Sequence, residues 1–368
     1  MSSLVEILAQ RSVVVCCGSG GVGKTTVAAA MALSAAQAGR RTCVVTIDPA
    51  KRLADALGLA SLTNLPTLVE GDWPGECWAL MLDTKGTFDD LVVDQASDQG
   101  RAEAILANRV YRNLSSALSG TQEYMASEKL HQLHEDPRFD LVVVDTPPTR
   151  NALDFIEAPR RLVRFVDNRV FRAVMTPTRA YLRAATLATR SVLRTMSKAV
   201  GSAVVDDAID FFQAFEGMEE GFRSRAAGVT ELLTSAETAF VLVTSPRPDA
   251  VEEALYLAER LSQSQITVAQ VVANRVHSRF DEPEGPPAPA PVGEVSRAGG
   301  VSSVGGPLAV LEANLAELRA VAEREEACLA VLSERVPRTP LVRVPILPSD
   351  VHDIRGLSEV ARLMLAAS

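Results

Sequence analysis

The sequence predicts an α/β fold: a mostly parallel sheet flanked by helices and interrupted by an inserted α-helical subdomain. Three observations carry this prediction. Short β-branched runs alternate with helical stretches through the first third of the chain and resume after residue 238. A glycine-rich turn joins the first of these runs directly to a helical stretch. The intervening residues 150–238 contain no strand-like run.

Strands are expected at 13–17, 42–47 and 139–145, with a helix at 24–39 after the first. Two later runs, 239–244 and 266–273, rejoin the same sheet, and 341–346 closes it. The chain thus divides into a sheet-containing domain at 1–149 and 239–368 and a helical insert at 150–238. Leu162, Phe165, Val166 and Val170 give the insert its helical spacing. Its charge is uneven: ten basic residues and one acid between Arg160 and Lys198, then six acids and no base between Val200 and Gly221. Such runs form either a basic surface for an anionic partner or lipid headgroups, or helices that neutralise one another. Residues 281–307, rich in Pro, Gly and Ser, read as a flexible surface loop. Beyond it Leu308, Leu311, Leu315, Leu318, Ala322, Leu329 and Leu332 form an apolar stripe on one long helix. Glu325 interrupts the stripe, which is expected to pack on the domain core.

Composition narrows the possibilities. With 47% hydrophobic residues in 368, the chain can bury a large core, which excludes disorder as the whole account. A net charge of −9 makes nucleic acid an unexpected partner. No run approaches about 18 uninterrupted apolar residues, and Glu6 stands where a secretory leader is basic, so a cytoplasmic protein is expected. The terminal helix has apolar Leu357, Val360, Leu363 and Met364 but only Arg355 and Arg362 beside them, so membrane contact is at most peripheral. Five cysteines lack metal-ligand spacing and read as small buried hydrophobes, and the four scattered histidines carry no assigned chemistry.

The chemistry concentrates at Gly18, Ser19, Gly20, Gly21, Val22, Gly23, Lys24 and Thr25, a match to G-x-x-x-x-G-K-[ST] between a strand and a helix. Glycines let backbone N–H groups wrap phosphates, Lys24 neutralises the β/γ oxygens, and the Thr25 hydroxyl can ligate Mg²⁺. Asp48 and Asp145 fall at the ends of later strands, where an open parallel sheet has its ligand crevice. An aspartate there either caps the next helix or serves phosphoryl transfer by holding Mg²⁺ or orienting water.

Gly18 to Thr26, Ile47-Asp48-Pro49-Ala50 and Asp145-Thr146-Pro147-Pro148-Thr149, in this order, resemble the arsenical pump-driving and tail-anchored-protein-targeting ATPases. These belong to the deviant Walker A, SIMIBI class of P-loop NTPases. Residues 13–18, 120–126 and 149–155 further resemble an actinobacterial branch whose members pair with a second ATPase of the same family. The resemblance implies ATP and Mg²⁺ as cofactors, Asp48 as the switch I aspartate that activates water, and Asp145 as the switch II aspartate that senses Mg²⁺ and γ-phosphate. It also implies adenine contact by Asn274 and cover of the base by the segment containing Pro345 and Leu347. A dimer, homo- or heteromeric, would carry a protein client on its helical inserts.

Ser19 departs from the pattern, because that class carries there a second lysine that reaches the partner's nucleotide. Either a partner subunit retains the lysine, or Lys51, Arg52 or Arg150 replaces it. Two principal readings follow: an ATPase coupled to a client-binding surface, or a weakly hydrolysing regulatory subunit of a heterodimer. A cytoskeletal or partitioning ATPase would need a membrane-targeting helix or a DNA-binding surface. The metalloid-binding cysteines and zinc-binding CxxC pair of some family members have no counterpart.

Overall fold

The computed structural model describes residues 3–48, 52–109, 111–112, 121–147, 149–166, 217–280 and 307–366. Pro49 to Lys51, Pro148, most of the basic and acidic runs of the insert, and the Pro/Gly-rich loop lie outside the described residues.

Eight strands form one sheet in the order β3-β4-β2-β5-β1-β6-β7-β8. They are β1 (Val13–Gly18), β2 (Arg41–Thr46), β3 (Thr67–Val69), β4 (Glu76–Met81), β5 (Leu141–Asp145), β6 (Thr238–Thr244), β7 (Val268–Val276) and β8 (Leu341–Pro345). All pairings are parallel except β3 with β4. The parallel sheet is as expected, but β3 and β4 add an edge the sequence reading lacked. β3 has only three residues, and β4 mixes Cys77, Trp78 and Ala79 rather than a β-branched run.

The central strands are buried on both sides, which explains their continuous Val and Cys content. Alternate side chains enter two cores. Val14, Cys16, Val44, Val143, Val241 and Val243 join one face, and Val13, Val15, Cys43, Val45, Val142 and Val144 the other. On the first face lies α2 (Lys24–Gln37), packed by α11 (Ile354–Ala366). Its interior is almost wholly Ala, Val, Met, Leu and Ser and is buried all round, so the small residues allow close approach to sheet and helix together. α1 (Leu4–Gln10) contributes Leu4, Ile7 and Leu8 to the same core.

The second face carries α6 (Thr121–Glu135), α8 (Glu219–Thr234) and α9 (Pro248–Gln263). A third apolar cluster joins α6 and α8 to α4 (Thr84–Gln95), α5 (Gln99–Ala107) and α7 (Thr149–Val166). Between the second and third clusters, Arg225 of α8 donates to the fully buried carboxylate of Glu128 on α6. A short α3 (Arg52–Ala56) follows the loop after β2.

α10 (Pro307–Arg335) departs from expectation. Ala322, Leu329 and Leu332 are buried, whereas Leu311 and Leu318 are exposed. A 29-residue helix is about 43 Å long. It packs on α9 and β7, and its buried apolar positions among the described residues lie in its second half. Glu325, which interrupts the stripe, accepts from the His277 backbone N–H at 2.7 Å and lies 2.7 Å from His277 Nδ1. Glu326 is clamped by Arg343 of β8.

The two halves of α10 should respond differently to truncation. Leu329→Ala is expected to lower unfolding stability by about 2–5 kcal/mol, and Leu318→Ala by less than about 0.5 kcal/mol, in urea titrations followed by circular dichroism.

Candidate functional site

The site forms where β1, β2 and β5 end side by side. Strand register sets Cys16 beside Asp145 and Thr46 beside Asp145, so three loops leave the sheet at one point. The loop from Gly18 to Gly23 leads into α2, whose N-cap Gly23 makes no side-chain hydrogen bond. The first-turn N–H groups of α2 thus face the loop as an anion site.

Two glycines are dictated by space. A Cβ on Gly18 would stand 2.0 Å from the Val243 carbonyl oxygen of β6. Gly23 has φ +92°, and its Cβ would stand 2.3 Å from Asn274 Nδ2. Gly20 and Gly21 are exposed along the loop, Val22 is buried beneath it, and Thr26 is half-buried in the first turn of α2.

Lys24 is buried, and its ammonium donates to the Ser19 carbonyl at 2.8 Å. Burial lowers the Lys24 pKa, opposed first by the Asp145 carboxylate. Asp145 Oδ2 accepts from the hydroxyls of Thr25 at 2.7 Å and Thr46 at 2.9 Å. Its other oxygen, Oδ1, is buried with no hydrogen-bond partner. Burial pushes the carboxyl up to about 6, against the pull of both hydroxyls and Lys24, while Asp48 adds to the rise.

An orphaned carboxylate oxygen beside a threonine hydroxyl is a hard-oxygen donor set suited to Mg²⁺, which retains waters and takes its other ligands from phosphates. No cluster of three His, Cys, Asp or Glu side chains able to hold a metal occurs among the described residues. The site is thus compatible with a cation shared with a ligand.

Asp48 lies just beyond β2, partly exposed, with its backbone N–H donating to Thr46 Oγ1 at 3.2 Å. Arg52 stands 4.0 Å from its carboxylate and is largely exposed. Lys51 is outside the described residues, as is the Arg150 side chain. Ser19 is buried and its hydroxyl has no hydrogen-bond partner.

Asn274 lies inside β7 rather than after it, because β7 pairs with β8 as far as Val276. Its Nδ2 donates to the Val22 carbonyl at 2.9 Å, and its Oδ1 accepts from the Arg275 N–H at 3.0 Å. In this state Asn274 braces the loop. Pro345 ends β8 opposite Val276, and Leu347 packs against the first core.

Three residues were given no role in the sequence reading. Thr46 ties the ends of β2 and β5 together through Asp145. Thr146 donates through its hydroxyl to the Cys16 carbonyl at 2.7 Å, fixing the segment after β5 against β1. Gln122, at the start of α6, donates to the Ile47 carbonyl at 3.3 Å. Threonine at the ends of consecutive strands was the available signal for the first two; the Gln122 contact spans 75 residues and leaves none in sequence. Cys16 and Cys17 are buried under the site, with thiol pKa values raised by burial, that of Cys17 to about 12. Both are chemically quiet there.

Comparison with known proteins finds relatives among named ATPases. The chain is 28% identical over 159 residues to the ATPase get3 of Neurospora crassa, covering 43% of this chain and 46% of that protein. It is 26% identical over 270 residues to the ATPase ASNA1 homolog of Cryptosporidium parvum, covering 73% and 66%. With ATPase GET3B of Arabidopsis thaliana the identity is 27% over 277 residues, covering 70% and 62%. The chain spans about half the length of the fungal relatives it matches. The model of one family, described as anion-transporting ATPase, matches residues 11–284. The chain therefore belongs to the anion-transporting ATPase family.

Proposed function

We propose that this protein is a Mg²⁺-dependent ATPase that uses ATP binding and hydrolysis, within a dimer, to alter a helical partner- or client-binding surface. One observation carries the reading: a fully buried aspartate with a free oxygen, hydrogen-bonded to the threonine that follows the phosphate-loop lysine. An ionised carboxylate without a compensating cation is costly in that setting, and a phosphate-bound cation offsets the cost.

The roles follow from position. The loop N–H groups and the N-terminus of α2 hold the phosphates, and Lys24 neutralises their charge. Thr25 and Asp145 would hold Mg²⁺, which would supply charge neutralisation on the transferring phosphoryl group. Asp48 orients the water that attacks the γ-phosphorus as the bond to the β-phosphate oxygen breaks. The partial exposure of Asp48 suits contact with water.

Coupling to the insert at 150–238 has a physical route. Gln122 links the carbonyl before Asp48 to α6, and Glu128 of α6 is paired with Arg225 of α8, which lies within the insert. Among the described residues no helix is long and apolar enough to cross a membrane. All five cysteines are unpaired, in keeping with a reducing, cytoplasmic setting.

Ser19 favours a second reading, a regulatory subunit that completes a heterodimer. Its side chain is neutral and buried, so it supplies no cation to a partner's phosphates. Turnover of the purified chain with and without a lysine-bearing family partner separates the two readings.

Isothermal titration with Mg-ATP tests the phosphate site. Lys24→Ala is expected to bind about 100-fold more weakly; unchanged affinity overturns the assignment. Asp48→Asn should keep affinity within about three-fold while turnover falls about 100-fold or more. Equal loss of both makes Asp48 structural.

A pH dependence follows for the nucleotide-free protein. Because the Asp145 pKa rises from 3.8 to about 6 on folding, its contribution to stability is fully present below about pH 4 and lost as pH rises through 6. Asp145→Asn is therefore expected to raise the unfolding free energy at pH 7.5 by up to about 3 kcal/mol. That gain disappears toward pH 4, and Mg-ATP no longer stabilises the variant.

A further inference from the structure

Strand order fixes which way a nucleotide lies across this edge. The carboxylates assigned above to the cation and the attacking water, Asp145 at the end of β5 and Asp48 just after β2, lie on one side of β1. The rest of a nucleotide held by the loop after β1 therefore points to the other side, over the ends of β6, β7 and β8. β7 and the phosphate loop are in direct contact there through Asn274 and the Val22 carbonyl.

Arg275 follows Asn274 and is the extra residue of a bulge, since Asn274 pairs with Val344 and Val276 with Pro345. Its φ is +61°, one of two positive values for non-glycine residues among the described residues. The other, Gln265, closes the C-terminus of α9, where the Ile266 N–H donates back to Leu261 and a left-handed residue is ordinary. No helix end accounts for Arg275. Glycine would bear that backbone freely, so the arginine side chain is the feature to explain.

The charged groups that follow Arg275 in the chain and that lie on β8 are engaged. His277 contacts Glu325, and Arg279 and Arg343 meet Glu326. The Arg275 guanidinium is exposed and has no hydrogen-bond or ion-pair partner among the described residues. Beside it on the next strand end, Ile346 donates its N–H to the Val276 carbonyl at 2.9 Å and presents a largely exposed apolar side chain.

We propose that Arg275, thrust out by the bulge beside Asn274 and neighboured by Ile346, is a base-contacting residue whose planar guanidinium stacks on the nucleobase of the bound nucleotide. A guanidinium is flat, always charged and weakly hydrated, so it stacks on an aromatic face where an ammonium does not. The inference rests on the nucleotide-binding reading above and adds to it the residue that grips the base rather than the phosphates.

The test compares Mg-ATP with Mg-tripolyphosphate, which has phosphates and no base, by isothermal titration. Arg275→Gly is the informative variant, because glycine keeps the left-handed backbone and removes only the side chain; its unfolding midpoint should be no lower than that of the parent. The expected result is about a ten-fold loss for Mg-ATP with unchanged binding of Mg-tripolyphosphate, and Arg275→Lys recovering only a small part. Equal loss for both ligands, no loss for either, or full recovery by lysine overturns the stacking role. Parent protein that binds Mg-ATP while Arg275→Gly does so equally well sinks this inference alone. Parent protein that binds neither ligand sinks the nucleotide reading with it.

Discussion

The carboxylate of Asp145, fully buried and held by the hydroxyls of Thr25 and Thr46, is the contact on which the arrangement of the site depends. It joins the residue after the phosphate-loop lysine, the end of β2 and the end of β5. None of these groups could meet without the parallel register that sets Cys16 and Thr46 on either side of Asp145. Burial works against the ionised form, yet the group has one oxygen with no partner. An ionised carboxylate in that setting is a cost to the fold taken alone, and the proposed function offsets it with a ligand-borne cation.

Positioning this contact is the task of the rest of the fold. Alternation along β1, β2 and β5 feeds two separate cores, so the strand ends are fixed from both faces. The alanine-rich α2 seats its N-terminus close against the sheet, and Gly18 lets the loop pass within reach of the β6 backbone. Asn274 reaches across from β7 to brace Val22. The loop is thereby preorganised before any phosphate arrives, which lowers the entropy cost of binding. On the opposite face, the Glu128–Arg225 pair ties α8 to α6, the helix whose Gln122 reaches the Ile47 carbonyl beside Asp48.

Much of this was legible in the chain itself. The phosphate loop could be read because its chemistry demands adjacent residues in fixed order, from Gly18 to Thr25. The central strands could be read because burial on both faces forces unbroken Val-rich runs. β3 and β4 could not, since three residues of an edge strand and a Trp/Ala segment bear no such constraint. Asn274 was singled out through the family resemblance, but its hold on Val22 spans 252 residues and depends on β7 continuing past it. The stripe on α10 was visible, yet periodicity states only that a face is apolar and not whether anything lies under it; Leu311 and Leu318 are exposed. Thr46 and Thr146 looked like ordinary strand-end residues because a hydroxyl acquires a role only through the neighbour that the register supplies.

The most direct test of the account is whether Thr25 and Asp145 together hold the nucleotide's cation. Mn²⁺, which substitutes for Mg²⁺ and is paramagnetic, can be titrated into protein with ATP and the bound fraction read by electron paramagnetic resonance. The account predicts tight Mn²⁺ retention only when ATP is present, weakened at least about ten-fold by Thr25→Val or Asp145→Asn, each removing one oxygen ligand. Retention that is independent of ATP, or that survives both substitutions unchanged, would contradict it.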